Sequence, residues 1–301
     1  MILERDADRV SVYLCPDHVT TGGTKADPFM MATRQTGARM IYLLSDEGRQ
    51  ALRTVASRPV LYAFDFDGTL AKISRDRDGV KLSRSIHEWL RELAARASCA
   101  IVSGRALSDL TPRVNGAVPY LMGNHGVESP LTPVAALSVA EQVCLGWMKQ
   151  VETDLAQPLK DSGIEVENKR YTLTFHYRGI DESAGGLAAL ALLLNRLTPV
   201  PQLICGKGSV NALSPGSTRK GEAARSLMIH LRRDGLFFVG DDETDEDVFG
   251  LTEGLIMGAR VGQQAESRAQ YYLKHQNEIE DVIRFLVHRI DRTPESYARG
   301  R

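Results

Sequence analysis

Residues 60–70 have the sequence VLYAFDFDGTL, and this stretch decides the fold prediction. Its first half, VLYAF, is a continuous apolar run of strand length that ends at Asp65. Uninterrupted runs of this kind are typical of strands that are covered on both faces of a parallel sheet. Its second half brings two carboxylates and a glycine directly to the end of that strand.

Similar apolar runs recur along the chain: CAIV at 99–102, PYLM at 119–122, LFFV at 236–239 and LIM at 255–257. Helix-like stretches lie between several of them, including residues 46–58 and residues 83–97, the second with Ser83 or Ser85 as a candidate cap. We therefore predict an α/β fold with a doubly wound, Rossmann-like parallel sheet.

Residues 127–214 follow a different pattern, with elements in the order α-β-β-α-β-β. The segment YTLTFHY at 171–177 alternates as a sheet with one covered face does. We predict an α+β domain inserted into a core domain that comprises residues 46–126 and 215–295. Residues 1–45 lack a sustained period and are predicted to be a flexible lead-in.

Composition excludes several classes of function. The chain has 301 residues and a formal net charge of -1, without the cationic surplus that nucleic-acid binding requires. The longest apolar run, Leu187 to Leu194, is much shorter than the roughly 20 residues of a membrane span. The acidic N-terminus is not that of a signal peptide, so we expect a cytoplasmic protein. We also expect a monomer or weak oligomer. Its four cysteines are far apart and indicate buried thiols: Cys15, Cys99, Cys144 and Cys205.

Polar side chains follow three of the predicted strands at the point where each ends. Asp65, Ser103 and Asp241 each come directly after an apolar run or within one residue of it. In an open α/β sheet, ligands bind in the crevice beyond the carboxyl ends of the strands. The three side chains are therefore predicted to share one edge of the sheet and one site.

Asp65 and Asp67 are two residues apart, so in an extended chain they point to the same side. Two carboxylates that close repel each other unless a cation or a proton separates them. Mg²⁺ prefers such hard oxygen ligands, and Gly68 allows the backbone to approach an anion closely. Asp65 can then act as a nucleophile and Asp67 as a proton shuttle. An ordinary β-turn with Asp and Gly in their usual positions is the alternative.

Two further segments offer groups for an anion. Ser103 and Gly104 can hold a phosphoryl oxygen through a hydroxyl and an amide, and Arg105 can pair with a carboxylate or a phosphate. Lys220 begins a helix-like run and can balance the charge of Asp65 and a phosphate together. Taken alone, a Ser-Gly turn with a solvated arginine and a surface lysine would explain these residues.

Six of the seven residues from Asp241 to Asp247 are acidic. Thr244 and Asp247 fit a capping box, and acids favour a helix N-terminus, which accounts for the later members. Asp241 and Asp242 lie directly after a buried strand, where an uncompensated charge is costly. This position favours a bound cation.

Taken in order, DxDGT, SGR, a downstream lysine and GDDxTDxD resemble the motifs of the haloacid dehalogenase superfamily of phosphotransferases. More narrowly, residues 58–290 resemble the trehalose-6-phosphate phosphatase family through GNHGVE at 123–128, NK at 168–169, HYR at 176–178, GK at 206–207 and AQYYL at 269–273. This resemblance implies an Mg²⁺-dependent phosphatase whose partner is a small sugar phosphate.

The resemblance also implies a role for each matching residue. Asp65 would form the phosphoaspartyl intermediate, and Asp67 would be the general acid and then the general base. Asp65, the Asp67 carbonyl and Asp241 would bind Mg²⁺, with Asp245 and Asp242 as supporting groups. Ser103, Gly104 and Lys220 would hold the phosphoryl group. The inserted domain would be a cap over the sugar, and the sugar would be lined by Arg105, His125, Glu128, Lys169 and Lys207.

One departure from the family pattern concerns the sugar. The family has a glutamate four residues after the lysine of GK, and an arginine two residues further on. This chain has Asn211 and Leu213 there. Asparagine keeps hydrogen-bonding ability but loses the charge, so Asn211 is also a candidate contact.

Other functions remain possible from the residues alone. The same chemistry would serve a phosphatase of another sugar phosphate, of the glucosylglycerol-phosphate or sucrose-phosphate type. It would also serve a phosphomannomutase-like transferase. A sugar-phosphate sensor without catalysis is a different class, although such a binder has no need of a nucleophile at position 65.

Overall fold

The computed structural model describes residues 3–6, 9–12, 40–74, 79–177, 190–206 and 208–290. The chain divides into two compact units, which are residues 39–137 with 218–301, and residues 138–217 with 1–38. Strands β1 (Leu3–Asp6) and β2 (Arg9–Val12) pair with each other antiparallel. Among the described residues, no helix is long and apolar enough to cross a membrane.

The first unit, called the core below, is built on a seven-stranded sheet whose neighbouring strands are all parallel. Its strands are β3 (Ile41–Tyr42), β4 (Val60–Phe64), β5 (Ser98–Val102), β6 (Tyr120–Met122), β11 (Gly235–Gly240), β12 (Leu255–Val261) and β13 (Tyr271–Leu273). They lie in the order β3-β13-β12-β11-β4-β5-β6. The predicted doubly wound α/β class is confirmed.

The central strands of the core are apolar because both faces of the sheet are covered. Every residue of β4 and of β11 is buried. Alternate side chains of β4 belong to two separate hydrophobic clusters, with Tyr62 and Phe64 in one and Leu61 and Ala63 in the other. This two-sided burial explains why the sequence of these strands does not alternate.

Among the described residues, seven α-helices accompany the core sheet or lead from it. They are α1 (Asp46–Ala56), α2 (Arg84–Ala94), α3 (Leu107–Val114), α4 (Val134–Gln150), α6 (Lys220–His230), α7 (Glu246–Phe249) and α8 (Ile279–Arg289). Of the two candidate caps for α2, Ser83 is the cap, since its side chain accepts a hydrogen bond from the amide of Ile86 at 3.2 Å.

The second unit, called the inserted unit below, holds a four-stranded antiparallel sheet. Its strands are β7 (Glu165–Asn168), β8 (Thr172–His176), β9 (Gln202–Gly206) and β10 (Ser209–Leu213), in the order β7-β8-β10-β9. Helix α5 (Ala156–Asp161) precedes the sheet, and residues 190–194 are helical. Leu173, Phe175 and Val210 pack on one face with Trp147. The other face carries Thr172, Thr174 and Asn211 together with the buried Ile204 and Leu213.

Two boundaries differ from those predicted. Residues 41 and 42, predicted to belong to the lead-in, form an edge strand that pairs with β13. The inserted unit runs from Ser138 to Ser217 instead of 127–214. Residues 127 and 128 stay with the core because Glu128 pairs with Gly123 and Val127 is buried. Turn residues alone do not reveal such pairing.

Candidate active site

The polar residues predicted to share one edge of the core sheet follow neighbouring strands. Asp65 comes after β4 and donates its backbone N–H to the carbonyl of Val239 on β11 at 2.8 Å. Asp241 comes after β11, and Ser103 comes after β5 on the other side of β4. All three side chains are buried. The chain continues from β4 to β5 and β6 on one side of the sheet, and from β11 to β12 and β13 on the other side. The strand order thus reverses between β4 and β11, and such a switch point is where ligands bind in doubly wound folds.

Lys220 connects two carboxylates at the centre of the site. Its Nζ lies 2.7 Å from Oδ1 of Asp65 and 2.8 Å from Oδ1 of Asp245, and all three side chains are at least nine-tenths buried. Burial lowers the pKa of Lys220, but the charges of Asp245 and Asp65 and their hydrogen bonds outweigh this and raise it. The lysine therefore remains an ammonium.

The surroundings of Asp65 disfavour its charged form, whereas those of Lys220 favour the ammonium. Burial raises the pKa of its carboxyl well above the usual value; Lys220 opposes the shift, whereas Asp245 and Asp241 add to it. A carboxylate that is to act as a nucleophile must be ionised. The site consequently needs positive charge in addition to Lys220.

The donor set fits a divalent cation. Carboxylate oxygens of Asp65, Asp241 and Asp245 lie within 4.8 Å of one another, and all three residues are buried. Together with Lys220 they leave two negative charges, which a divalent ion would balance. Hard oxygen ligands suit Mg²⁺. We therefore regard this cluster as the candidate metal centre.

Gly68 closes one side of the acidic cluster. It has a φ of 82°, and a Cβ atom placed on it would lie 2.3 Å from a carboxylate oxygen of Asp241. Only glycine adopts this conformation readily and leaves room for the carboxylate. The glycine of the DxDG motif is thus explained by a direct contact with the second acidic segment.

Asp67 is held by an arginine. Arg105 donates from Nε and Nη2 to the two carboxylate oxygens of Asp67, each at 2.7 Å, and from Nη1 to Asp109. The pKa of Arg105 is raised above its usual value, because the hydrogen bonds and charges of Asp67 and Asp109 outweigh the opposing effect of burial. Such a bidentate pair fixes the orientation of the carboxylate. Arg105, predicted to contact the sugar, binds Asp67 in this structure.

The segment after β6 packs against the SGR turn. His125 is buried with a φ of 58°, and its imidazole lies where a Cβ atom on Gly104 would be, 2.5 Å from Cε1. Its backbone N–H donates to the carbonyl of Ser103 at 2.9 Å. Gly104 is therefore required for the close packing of these two loops, and His125 lies beside the predicted phosphoryl-binding turn.

Glu128 carries out a structural task in the same segment. Its Oε2 accepts hydrogen bonds from the amide of Leu107 at 2.8 Å and from Nδ2 of Asn124 at 2.7 Å. These bonds hold the start of α3 to the loop that contains His125. This carboxylate was predicted to contact the sugar, and its described contacts are within the core.

The acidic run after β11 is organised differently from the prediction. Asp242, not Thr244, caps the short helical turn Glu243–Asp245, and Asp245 reciprocates by accepting the backbone N–H groups of Asp241 and Asp242 at 2.9 Å each. The predicted capping box of Thr244 and Asp247 is wrong, because the helical turn begins two residues earlier. Asp242 therefore has a structural explanation without a cation.

Asp247 caps a helix from another segment. The side chain of Arg219, the residue before α6, makes no capping hydrogen bond. Instead, Oδ2 of Asp247 accepts a hydrogen bond from the backbone N–H of Gly221 at 2.7 Å. This bond fixes the first turn of the helix that presents Lys220. The acidic run in the sequence does not reveal that Asp247 caps this helix. The contact of Asp109 with Arg105 has no signal in the sequence either.

The remaining predicted residues belong to the inserted unit. Lys169 follows β7, and Lys207 lies outside the described residues. Asn211 is 3% exposed; its Oδ1 accepts from the hydroxyl of Thr174 at 2.7 Å, and its Nδ2 donates to the carbonyl of Ile204 at 3.3 Å. The amide thus connects all three neighbouring strands of the inserted sheet.

Comparison with known proteins agrees with this architecture. The trehalose-phosphatase family model matches residues 63–276. The trehalose-phosphate phosphatase of Mycobacterium tuberculosis H37Rv is 32% identical over 230 residues, which cover 72% of this chain and 58% of that protein. The chain thus spans well under two thirds of the length of its mycobacterial relatives.

Solved structures show the same fold. The C-terminal domain of trehalose-6-phosphate phosphatase from C. albicans matches with a TM-score of 0.66 and 22% identity, over 84% of this chain and 99% of that one. Trehalose-6-phosphate phosphatase from Aspergillus fumigatus matches with a TM-score of 0.57 and 26% identity, over 80% and 97%. The fold and the acidic strand-end motifs define the haloacid dehalogenase class. Within that class, the chain belongs to the trehalose-phosphatase family.

Proposed function

We propose that this protein is an Mg²⁺-dependent phosphatase that hydrolyses trehalose 6-phosphate to trehalose and inorganic phosphate. The observation that carries the proposal is the buried contact of Lys220 with Asp65 inside a cluster of three carboxylates. A nucleophile beside a fixed cation suits attack on a phosphorus atom whose oxygens are negatively charged. Family membership supports the choice of sugar.

In the first half-reaction, a carboxylate oxygen of Asp65 forms a bond to phosphorus and the bond from phosphorus to the sugar oxygen breaks. Asp67 gives its proton to the departing sugar oxygen. In the structure both carboxylate oxygens of Asp67 accept hydrogen bonds from Arg105, which fix the orientation of the carboxylate, and one of these bonds must break when Asp67 carries the proton. We accordingly assign Arg105 to the positioning of Asp67.

In the second half-reaction, a water oxygen attacks the phosphorus of the phosphoaspartate and the bond to Asp65 breaks. The water gives a proton to Asp67, which returns to its initial state as phosphate leaves. A group that acts first as acid and then as base must reach both the sugar oxygen and the attacking water, and the Asp67 side chain is 38% exposed.

Charge on the phosphoryl group needs fixed partners. We assign this role to Lys220, to the hydroxyl of Ser103 and to the amide of Gly104. Asp65, the carbonyl of Asp67 and Asp241 would hold Mg²⁺, with Asp245 and Asp242 in support. When bound, the ion would neutralise the carboxylates and the phosphoryl oxygens.

The residues that contact the sugar are also part of the proposal. His125 lies beside Gly104, and Glu128, Lys169 and Lys207 remain candidate contacts. We also expect the protein to act in the cytoplasm as a monomer or weak oligomer. Among the described residues, Cys99, Cys144 and Cys205 form no disulfide, which is consistent with a reducing compartment.

A phosphate-release assay tests the proposal. Trehalose 6-phosphate is compared with sucrose 6-phosphate, glucosylglycerol phosphate, glucose 6-phosphate and mannose 6-phosphate, each with Mg²⁺ and with excess EDTA. We expect the highest kcat/KM for trehalose 6-phosphate and loss of turnover in EDTA. Equal rates across the panel would refute the specificity, and tight binding without turnover would refute the activity.

The preference for another sugar phosphate is the second candidate, and Asn211 favours it. The amide of Asn211 is engaged with Thr174 and Ile204 inside the inserted sheet, where the family pattern has a glutamate. A higher kcat/KM for another member of the panel would establish this alternative. The chemistry at Asp65 is the same in both cases.

A further inference from the structure

An open cleft of about 640 Å³ lies at the end of the core sheet that is remote from Asp65. Val60 and Ser98, the first residues of β4 and β5, line it. A five-residue strand spans about 17 Å, so roughly the length of β4 separates the cleft from the candidate active site. A volume of this size accommodates a small-molecule ligand.

The charge of the cleft is unusual. None of the described residues that line the cleft is acidic. Five of them are arginines: Arg53, Arg58, Arg96, Arg233 and Arg289. These arginines come from four separate stretches of the chain, which the parallel fold brings to one place. Guanidinium groups that share a cleft repel one another, and a cleft lined by one sign of charge concentrates counter-ions.

Proximity to a helix end explains four of the five arginines when each is considered alone. Arg53 and Arg289 occupy the last turns of α1 and α8, and Arg96 and Arg233 follow the ends of α2 and α6. A cation at a helix C-terminus is favourable by about 0.3–1 kcal/mol. This effect operates on any face of a helix end, so it does not explain why the five point into one cleft without a carboxylate.

Several of the arginines are held in place by their surroundings. The guanidiniums of Arg53 and Arg289 both lie over the ring of Phe285, at 5.9 Å and 5.4 Å from its centroid. Arg96 is fixed by hydrogen bonds to the carbonyl and carboxylate of Glu92, a residue outside the lining. Arginines that are already ordered lose less side-chain entropy when they bind an anion.

We propose that this cleft is a second binding site, for a small anion that carries two or more phosphate groups. Guanidinium groups recognise phosphate through paired hydrogen bonds. One phosphate group brings a charge of about two and would satisfy only part of five cations, whereas a chain of phosphates can engage several arginines together.

Binding of inorganic tripolyphosphate to the full chain tests the proposal. Calorimetry and thermal unfolding are carried out in EDTA, so that no divalent ion recruits the probe to the catalytic end. The double variant Arg58→Gln/Arg289→Gln removes two cleft charges at exposed positions. Its matched control is Arg84→Gln/Arg91→Gln, which removes two exposed charges from α2 outside the cleft.

We expect the wild type and the control variant to bind the probe with the same dissociation constant. In the cleft variant this constant should rise by about tenfold or more, because charge-assisted hydrogen bonds are lost. Saturating tripolyphosphate should raise the unfolding midpoint of the wild type by roughly 3–6 °C. Sodium sulfate at equal ionic strength should give a much smaller rise.

Three results would overturn the proposal. They are the absence of binding to the wild type, equal binding to both double variants, and an equal rise in the unfolding midpoint with sulfate. Equal binding to both variants would place the probe elsewhere, including at the catalytic end of the sheet.

Discussion

The guanidinium of Arg105 binds both carboxylate oxygens of Asp67 at 2.7 Å, and its third nitrogen reaches Asp109. Burial raises the pKa of Asp109, but hydrogen bonds from Arg113 and Arg105 outweigh this and lower it, so Asp109 stays ionised and keeps Arg105 oriented. The proposed acid and base of the reaction is thus positioned by a network of charged groups within the core.

Replacement of Arg105 by lysine tests this positioning role. A lysine keeps the charge but cannot form the planar pair, so we expect kcat to fall about 10- to 100-fold with a smaller change in KM. Steady-state kinetics measures both. Arg113→Lys is the control, since Arg113 donates hydrogen bonds to Asp109 and to the carbonyl of Val80. A large rise in KM with an unchanged kcat would instead place Arg105 on the sugar.

Gly68 tests the metal centre. The variant Gly68→Ala would put a methyl group against the carboxylate of Asp241, so the Mg²⁺ concentration for half-maximal activity should rise by about tenfold or more. Gly262→Ala is a matched control, because Gly262 has a φ of 85° and no atom within 4 Å of its added Cβ. Equal Mg²⁺ dependence of the two variants would show that backbone strain alone explains the first.

Asp247 is predicted to position Lys220 through the helix that begins there. Asp247→Ala removes the acceptor for the amide of Gly221, and we expect a loss of about 0.5–2 kcal/mol of stability and a severalfold fall in kcat. Asp247→Asn keeps an acceptor and should restore most of both. Urea unfolding and kinetics provide the two readouts. An unchanged kcat in the alanine variant would reject the positioning role.

The hydrogen bonds of Asn211 predict that restoring the family's glutamate at this position lowers the stability of the protein. A buried carboxylate at this position cannot donate to the carbonyl of Ile204, so Asn211→Glu should destabilise the protein by about 1–3 kcal/mol. Burial would raise the pKa of the new carboxyl in the folded state; the folded protein then binds more protons than the unfolded chain, and the deficit should grow as pH rises from 4 to 7.

The control for this prediction is Gln202→Glu, which makes the same change at an exposed position of the same sheet. Unfolding by urea at several pH values gives the comparison. If both variants were equally stable, the hydrogen bonds of Asn211 with Thr174 and Ile204 would contribute little. A pH-independent deficit in Asn211→Glu would show that the carboxylate reaches water.

The placement of the candidate site residues could be predicted from local sequence. Asp65, Ser103 and Asp241 follow apolar runs, and a parallel sheet brings all such ends to one edge. The fold class follows from the same runs, because strands buried on both faces have no alternation. These features depend on one strand and its next residue, which a single sequence contains.

The partners of the charged residues could not be predicted in this way. Arg105 with Asp67, Asp247 with Gly221 and the five arginines of the remote cleft are contacts between distant segments. Their geometry depends on side-chain rotamers and on the register of helices against the sheet. The acidic run after β11 shows the difficulty: several spacings in it fit a cap, and only the backbone conformation selects Asp242.

Trapping of the phosphorylated enzyme tests the central claim most directly. The protein is mixed with trehalose 6-phosphate and Mg²⁺, quenched in acid within one turnover, digested and examined by mass spectrometry. We predict phosphate on the peptide that contains Asp65, and none in Asp65→Asn, which should also lose at least about a thousandfold in kcat. Phosphate on a different residue, or substantial turnover by Asp65→Asn, would contradict the account.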